Sequence, residues 1–286
     1  MSDTSPRARP EPAAKTAAET THQAARQTAL ITGASSGIGE ALAHRFARAG
    51  FNLVLVARSA DKLQALATAL KAAHGIKAWV APADLALPGA AARLAAAMKR
   101  ARRPIDVLVN NAGVLQHGPF TGMAPDDHQR LIDLNVSGLT AMLAQFVPAM
   151  VARGKGRVLN VASIAAFQPV PSLASYAATK AYVLSLTESL SEELQGSGVS
   201  ITALCPGVTA THMLVAASAA SPALDKLPKS LVGSAEDVAD EGFEACMAGE
   251  VIRVPGALNR AGVVAGRATP KWLLRKLSGA LVRRLK

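Results

Sequence analysis

Aromatic side chains make up only 3% of this 286-residue chain, although half of it is hydrophobic. A core with so few large rings must be assembled from Ala, Val, Leu and Ile, the composition of buried parallel strands covered by Ala-rich helices. Cysteine is nearly absent. Cys205 and Cys246 stand far apart in apolar segments, which excludes a disulfide framework and predicts buried thiols in a reducing compartment, the cytoplasm. Two thiols cannot make a metal site unaided, and His44, His74, His117 and His128 are scattered with no carboxylate at ligand spacing, so no metal is expected. No run reaches about 18 uninterrupted apolar residues, which argues against a spanning helix. Zinc-finger spacing, an arginine-rich recognition helix and an RNA-binding aromatic pair are all missing, so the net charge of +11 does not point to nucleic acid. Acidic residues are lacking altogether from Val251 to Lys286, where Arg253, Arg260, Arg267, Lys271, Arg275, Lys276, Arg283, Arg284 and Lys286 stand. Most of the positive excess is therefore C-terminal.

What is present is a regular alternation. Residues 1–27 mix Pro, Ala, Thr, Arg and Glu without an apolar stretch and read as a disordered extension, not a signal peptide. A short apolar run, Thr28 to Thr32, then leads into Gly33-Ala34-Ser35-Ser36-Gly37-Ile38-Gly39 and a helical pattern that closes at Gly50. Strands are predicted at 52–57, 76–82, 105–109, 157–162 and 199–205, with a weaker one at 251–254. Helices are predicted between them at 61–73, 89–103, 125–150 and 174–195. Ser234-Ala235-Glu236-Asp237 has the form of a capping box that opens a last core helix. This pattern predicts one α/β domain over 28–255: a Rossmann-like, doubly wound parallel sheet of about seven strands with helices on both faces. Residues 208–233 lack periodicity and read as a substrate loop. Residues 256–286 form a basic amphipathic extension, in which Pro270 opens a helix with Trp272, Leu273, Leu277, Leu281 and Leu285 on one stripe.

Ligands in such sheets bind beyond the carboxyl ends of the strands, which puts weight on the residues just after each one. The turn Gly33, Ser35, Ser36, Gly37, Ile38, Gly39 can bring backbone amides against a pyrophosphate at a helix N-terminus. It is not a nucleoside-triphosphate loop, since Glu40 and Ala41 stand where a lysine and a hydroxyl would follow. The second strand ends Ala57-Arg58, without the carboxylate that would grip an unphosphorylated ribose. Arg58 would instead attract a 2′-phosphate, favouring NADP(H) over NAD(H); the alternative is a solvated residue before a helix. Tyr176 and Lys180 are four apart and share one helical face, so an ammonium can favour the phenolate and make proton transfer feasible near neutral pH. Ser163 follows the fifth strand, where its hydroxyl can hold a substrate oxygen. Taken alone, the Tyr/Lys spacing also fits a surface helix pair.

Together these segments resemble the classical short-chain dehydrogenase/reductase family over roughly 28–255. The matching residues are Thr32 to Gly39, Asn110-Asn111-Ala112-Gly113, Asn135, Ser163, Tyr176-Ala177-Ala178-Thr179-Lys180 and Pro206-Gly207. The resemblance implies hydride transfer at a nicotinamide, with Tyr176 as the acid/base. It implies that Lys180 lowers the tyrosine pKa and holds the nicotinamide ribose, that Ser163 polarises the carbonyl, and that Asn135 anchors a proton-relaying water. It also assigns Asp84 to the adenine ring, Asn110, Ala112 and Gly113 to the cofactor floor, and Pro206-Gly207 to the nicotinamide side. For Asp84 the residues alone equally allow turn bonding, and for Asn135 a satisfied polar group inside a helix. A homodimer or homotetramer is implied too.

Leu115, Phe120, Phe167, Val170, Met213 and Leu214 are expected to line the substrate pocket, which points to an apolar ketone, aldehyde or alcohol. The basic tail fits either peripheral contact with an anionic membrane or packing on protein. A non-catalytic nucleotide-sensing or scaffold protein of the same fold is the competing function; the intact Tyr176 and Lys180 argue against it.

Overall fold

The computed structural model describes residues 26–210, 232–270, 272–276 and 279. Most of the expected N-terminal extension, much of the substrate loop and the end of the tail lie outside these residues. The chain enters at the middle of a sheet. Strand β1 (Thr28–Thr32) is followed by α1 (Gly37–Arg48), β2 (Asn52–Ala57), α2 (Ala60–His74), β3 (Ala78–Pro82), α3 (Ala90–Arg100) and β4 (Val107–Asn110). Then come α4 (Pro125–Ile132), α5 (Leu139–Ala152), β5 (Gly156–Val161), α6 (Ala174–Glu193) and β6 (Val199–Leu204). Helix α7 (Ala235–Ala248), β7 (Ile252–Arg253) and α8 (Ala257–Ala268) complete the order.

All seven strands are parallel and lie in the order β3-β2-β1-β4-β5-β6-β7. From β1 the chain winds outward to β3, then crosses back to β4 and winds the other way. The order therefore reverses between β1 and β4, and the first turn of each half opens a crevice there. Alternate strand residues serve opposite faces. Ala29, Ile31, Leu53, Leu55, Val107 and Val109 face α1, α2 and α7, whereas Leu30, Val54, Val56, Leu108 and Val158 face α3, α5 and α6. Both faces are covered, which is why the strands read as continuous apolar runs. Aromatic packing is concentrated in one place. Phe46, Phe51 and Phe243 meet edge to face, with centroids 4.9 to 6.2 Å apart, and tie α1 to α7. The expected capping box opens α7, where Ser234 Oγ accepts from Asp237 N at 2.9 Å.

One feature departs from the sequence reading. The helix expected over 125–150 is broken by a π-helical turn, Asp133–Gly138, because Gly138 must pass close to the Leu85 carbonyl and the extra residue lets the chain do so. The stretch Pro125–Ala152 is long and apolar enough by composition to cross a membrane, with mean hydropathy 1.4. Met142, Leu143, Phe146 and Met150 bury its inner face in the core, which is the ordinary place of such a helix in a doubly wound fold. Helix α8 opens the extension and packs back on the 3-10 turn Ile164–Phe167.

Candidate active site

A single cavity of about 470 Å³ runs along the carboxyl ends of the strands at the point where their order reverses. Gly33, Ser35, Ser36, Gly37 and Ile38 line one end, Arg58 and Asp84 flank it, Ala112 and Gly113 form its floor, and Ser163, Tyr176, Lys180, Pro206 and Gly207 close the other.

The glycine turn is shaped by two close approaches. Gly33 has φ +66° and so little room that a Cβ would lie 2.7 Å from Asn111 Nδ2 and 2.9 Å from Ala112 Cα. A Cβ at Gly39 would run into the Gly33 carbonyl, so this glycine lies beneath the turn and does not line the cavity. Ser36 precedes α1 in extended geometry and makes no side-chain cap, leaving the first-turn amides of α1 to an anion in the crevice. Thr32 fastens this turn to the next strand. Its Oγ1 accepts from Asn111 N and Ala112 N, each at 2.9 Å, and donates to Val109 O at 3.1 Å. Asn111 Nδ2 returns a bond to Thr32 O at 2.9 Å.

These bonds fit the cavity to a dinucleotide. The uncapped helix end would face a phosphate, the exposed Arg58 follows Ala57 at the end of β2, and Asp84 sits one strand further out. Asp84 Oδ1 accepts from Ala86 N at 3.1 Å, so it also holds its own turn.

At the other end, α6 presents Tyr176 and Lys180 to the cavity one turn apart, both buried. Burial pushes the Tyr176 phenol up, and a hydrogen bond with Ser163 pulls it partly back. Lys180 Nζ donates to Val161 O at 2.8 Å, and burial lowers its pKa to about 8. The ammonium lies 5.7 Å from the centre of the tyrosine ring. Its bond goes to a strand carbonyl, and desolvation is the larger influence on the phenol. Ser163 Oγ accepts from Ala165 N at 3.1 Å, which leaves its O–H to donate toward Tyr176 or a substrate oxygen. Ile164 N donates to Pro206 O at 3.0 Å and joins the serine turn to the end of β6.

Two further predicted site residues lie behind the cavity wall. Asn110 is buried in the sheet and donates to Asn160 Oδ1 at 3.0 Å; Asn160 in turn donates to Thr187 on α6. Asn135, in the π turn, accepts from Val114 N and donates to Val114 O and Thr179 Oγ1. Its carboxamide is thus committed to protein and clamps the β4 loop to α6. In the substrate wall, Leu115 and Val170 are in place. Phe120 points outward, 62% exposed and stacked on His128, and Phe167 packs against the core with Arg267 over its ring. Met213 and Leu214 lie outside the described residues.

Sequence reasoning missed Leu134 in the lining. It also missed Asn259 of α8, whose carboxamide sits where a Cβ on Gly207 would be, 2.6 Å away. Outside the lining, His128 bonds Ser175 Oγ at 2.8 Å and Phe120 O at 3.1 Å.

Residues 27–221 match the family model for short chain dehydrogenases. The chain belongs to the short-chain dehydrogenase/reductase family. Oxidoreductase UcpA of Escherichia coli is 41% identical over 191 residues, covering 65% of this chain and 71% of that protein. A short-chain dehydrogenase from Sphingobium yanoikuyae in complex with NADPH superposes with a TM-score of 0.75 at 36% identity, covering 84% of this chain and 92% of that one. A bulky-bulky ketone specific alcohol dehydrogenase from Comamonas testosteroni gives a TM-score of 0.72 at 32% identity, with the same coverage. The chain is an oxidoreductase of this family.

Proposed function

We propose that this oxidoreductase interconverts an apolar ketone or aldehyde and its alcohol, using NADP(H) in preference to NAD(H). The observation that carries the reading is the single cavity joining the uncapped end of α1 and Arg58 to the buried Tyr176–Ser163 pair. The cofactor would supply or accept the hydride. Ser35, Ser36, Gly37 and Ile38 would hold its pyrophosphate, Arg58 its 2′-phosphate, and Asp84 the adenine. In reduction Tyr176 gives its proton to the forming alkoxide while Ser163 donates a hydrogen bond to the same oxygen. In oxidation the phenolate takes the proton. Lys180, anchored to Val161 O beneath the ring, provides the positive charge that makes the phenolate accessible once a substrate oxygen replaces water. Asn135 positions the β4 loop against α6, and a relay water falls to its backbone.

The apolar side chains Leu115, Leu134, Val170 and Leu173 around Tyr176 support a hydrophobic substrate, as does the likeness to an enzyme specific for bulky ketones. The NADPH complex of a similar chain supports the cofactor reading. Exposed Ile132, Val151 and Tyr182 on α4, α5 and α6 support a homodimer or homotetramer through these helices, and two free buried thiols suit the cytoplasm. Loss of NADPH absorbance should follow addition of members of a panel of bulky ketones and aromatic aldehydes. Tight NADPH binding with no turnover across the panel would favour a nucleotide-sensing role instead.

A further inference from the structure

The family fold does not account for the outer face of α8. Along this helix only Asn259, Val263 and Gly266 turn toward the protein, onto Gly207, the core and the 164–168 segment. The opposite face is apolar and open: Leu258, Ala261, Val264, Ala265 and Ala268 are exposed, Leu258 by 62% and Val264 by 68%. Trp272, on the next helical segment, is 55% exposed. A helix that turns its apolar residues outward requires a cover. Charge decides which one. From Val254 to Lys286 the sequence holds eight Lys and Arg and no Asp or Glu, with Arg260 and Arg267 on α8 itself. A second copy laid on this face would oppose like charges, and a nucleic acid would leave Leu258, Val264 and Trp272 without an apolar partner.

We infer that α8 and residues 272–276 form a docking surface for an anionic lipid bilayer. Leu258, Val264 and Trp272 enter the interface, and the basic residues meet the headgroups. Helix α8 rests on the turn whose Ile164, Ala165 and Gln168 line the cavity and on Gly207, so docking sets the substrate end of the site beside the membrane.

The test is vesicle flotation of the full-length protein, with readouts independent of turnover. Vesicles of phosphatidylcholine mixed with phosphatidylglycerol should carry the protein at low salt and release it at high salt, while phosphatidylcholine alone should not. Binding should shift Trp272 emission to the blue, and a Trp79→Phe variant isolates that signal. The double variant Leu258→Asp, Val264→Asp, at exposed positions and outside the cavity lining, should melt as wild type and bind anionic vesicles roughly tenfold less. The inference fails if the wild type stays unbound on anionic vesicles, if it floats equally with both lipids, or if the double variant binds undiminished. It also fails if that variant changes the association state in sedimentation, since the cover would then be another subunit. Should the double variant not fold, the lipid dependence, the salt release and the Trp272 shift of the Trp79→Phe protein decide the question.

Discussion

Replacing Lys180 by methionine should leave the protein inactive yet relatively more stable at neutral pH than at alkaline pH. Lys180 is buried, and its pKa falls from the ordinary 10.5 to about 8, chiefly by desolvation. A shift of that size means that the folded state bears a penalty of ~3 kcal/mol for holding the charged amine. Below about pH 8 both folded and unfolded Lys180 carry the proton and the whole penalty stands. Between pH 8 and 10.5 the unfolded chain binds the proton that the folded chain has released, so raising pH stabilises the wild type. The methionine side chain has no such group. The loss of the bond to Val161 O costs roughly 1 to 3 kcal/mol and offsets much of the relief at any one pH. The pH dependence is the clean signal: the stability difference, variant minus wild type, should be more favourable at pH 7 than at pH 10 by between about 2 and 3 kcal/mol. Tyr176, raised by burial, and Cys205 and Cys246, pushed up to about 12, act in the opposite sense above about pH 9, but they are common to both chains and drop out of the difference to first order. Urea unfolding at the two pH values measures it. Parallel behaviour of the two proteins from pH 7 to 10 would refute the buried-charge argument.

Three further outcomes follow from the site. Arg58→Asp should weaken NADPH binding by about 10- to 100-fold, the worth of a charge-assisted contact, and leave NADH binding equal or better; an unchanged preference in cofactor titrations would show that Arg58 is only a solvated residue. Thr32→Val strands the amides of Asn111 and Ala112 and should destabilise by roughly 2 to 4 kcal/mol, seen as a lower urea midpoint, with weaker cofactor binding. Gly207→Ala puts a methyl 2.6 Å from the Asn259 carboxamide and should cost about 1 to 3 kcal/mol, and Asn259→Ala in the same chain should restore most of it in thermal melts.

Where one physical requirement dominated a stretch, it was legible in the residues. The parallel sheet was written in apolar runs covered on both faces, and the glycine turn in the need for backbone to pass backbone at Gly33 and Gly39. Tyr176 and Lys180 could be paired because helical spacing alone sets their distance. The rest depended on contacts between distant segments. Nothing local marks the π turn at 133–138, which answers to Leu85, or the role of Asn259, which answers to Gly207. Phe120 and Phe167 fit a pocket by composition, yet neighbouring elements offer them His128 and the core instead. For Tyr176, spacing shows that an ammonium is near but not that Val161 O engages it or that burial raises the phenol.

Tyr176→Phe, with NADPH turnover and NADPH binding measured on the same preparation, tests the account at its centre. Removing the proton donor while keeping the ring should lower kcat by at least ~100-fold with any carbonyl the wild type reduces, and leave the NADPH dissociation constant within a few-fold. Turnover within a few-fold of wild type would contradict the assignment of Tyr176 as the acid.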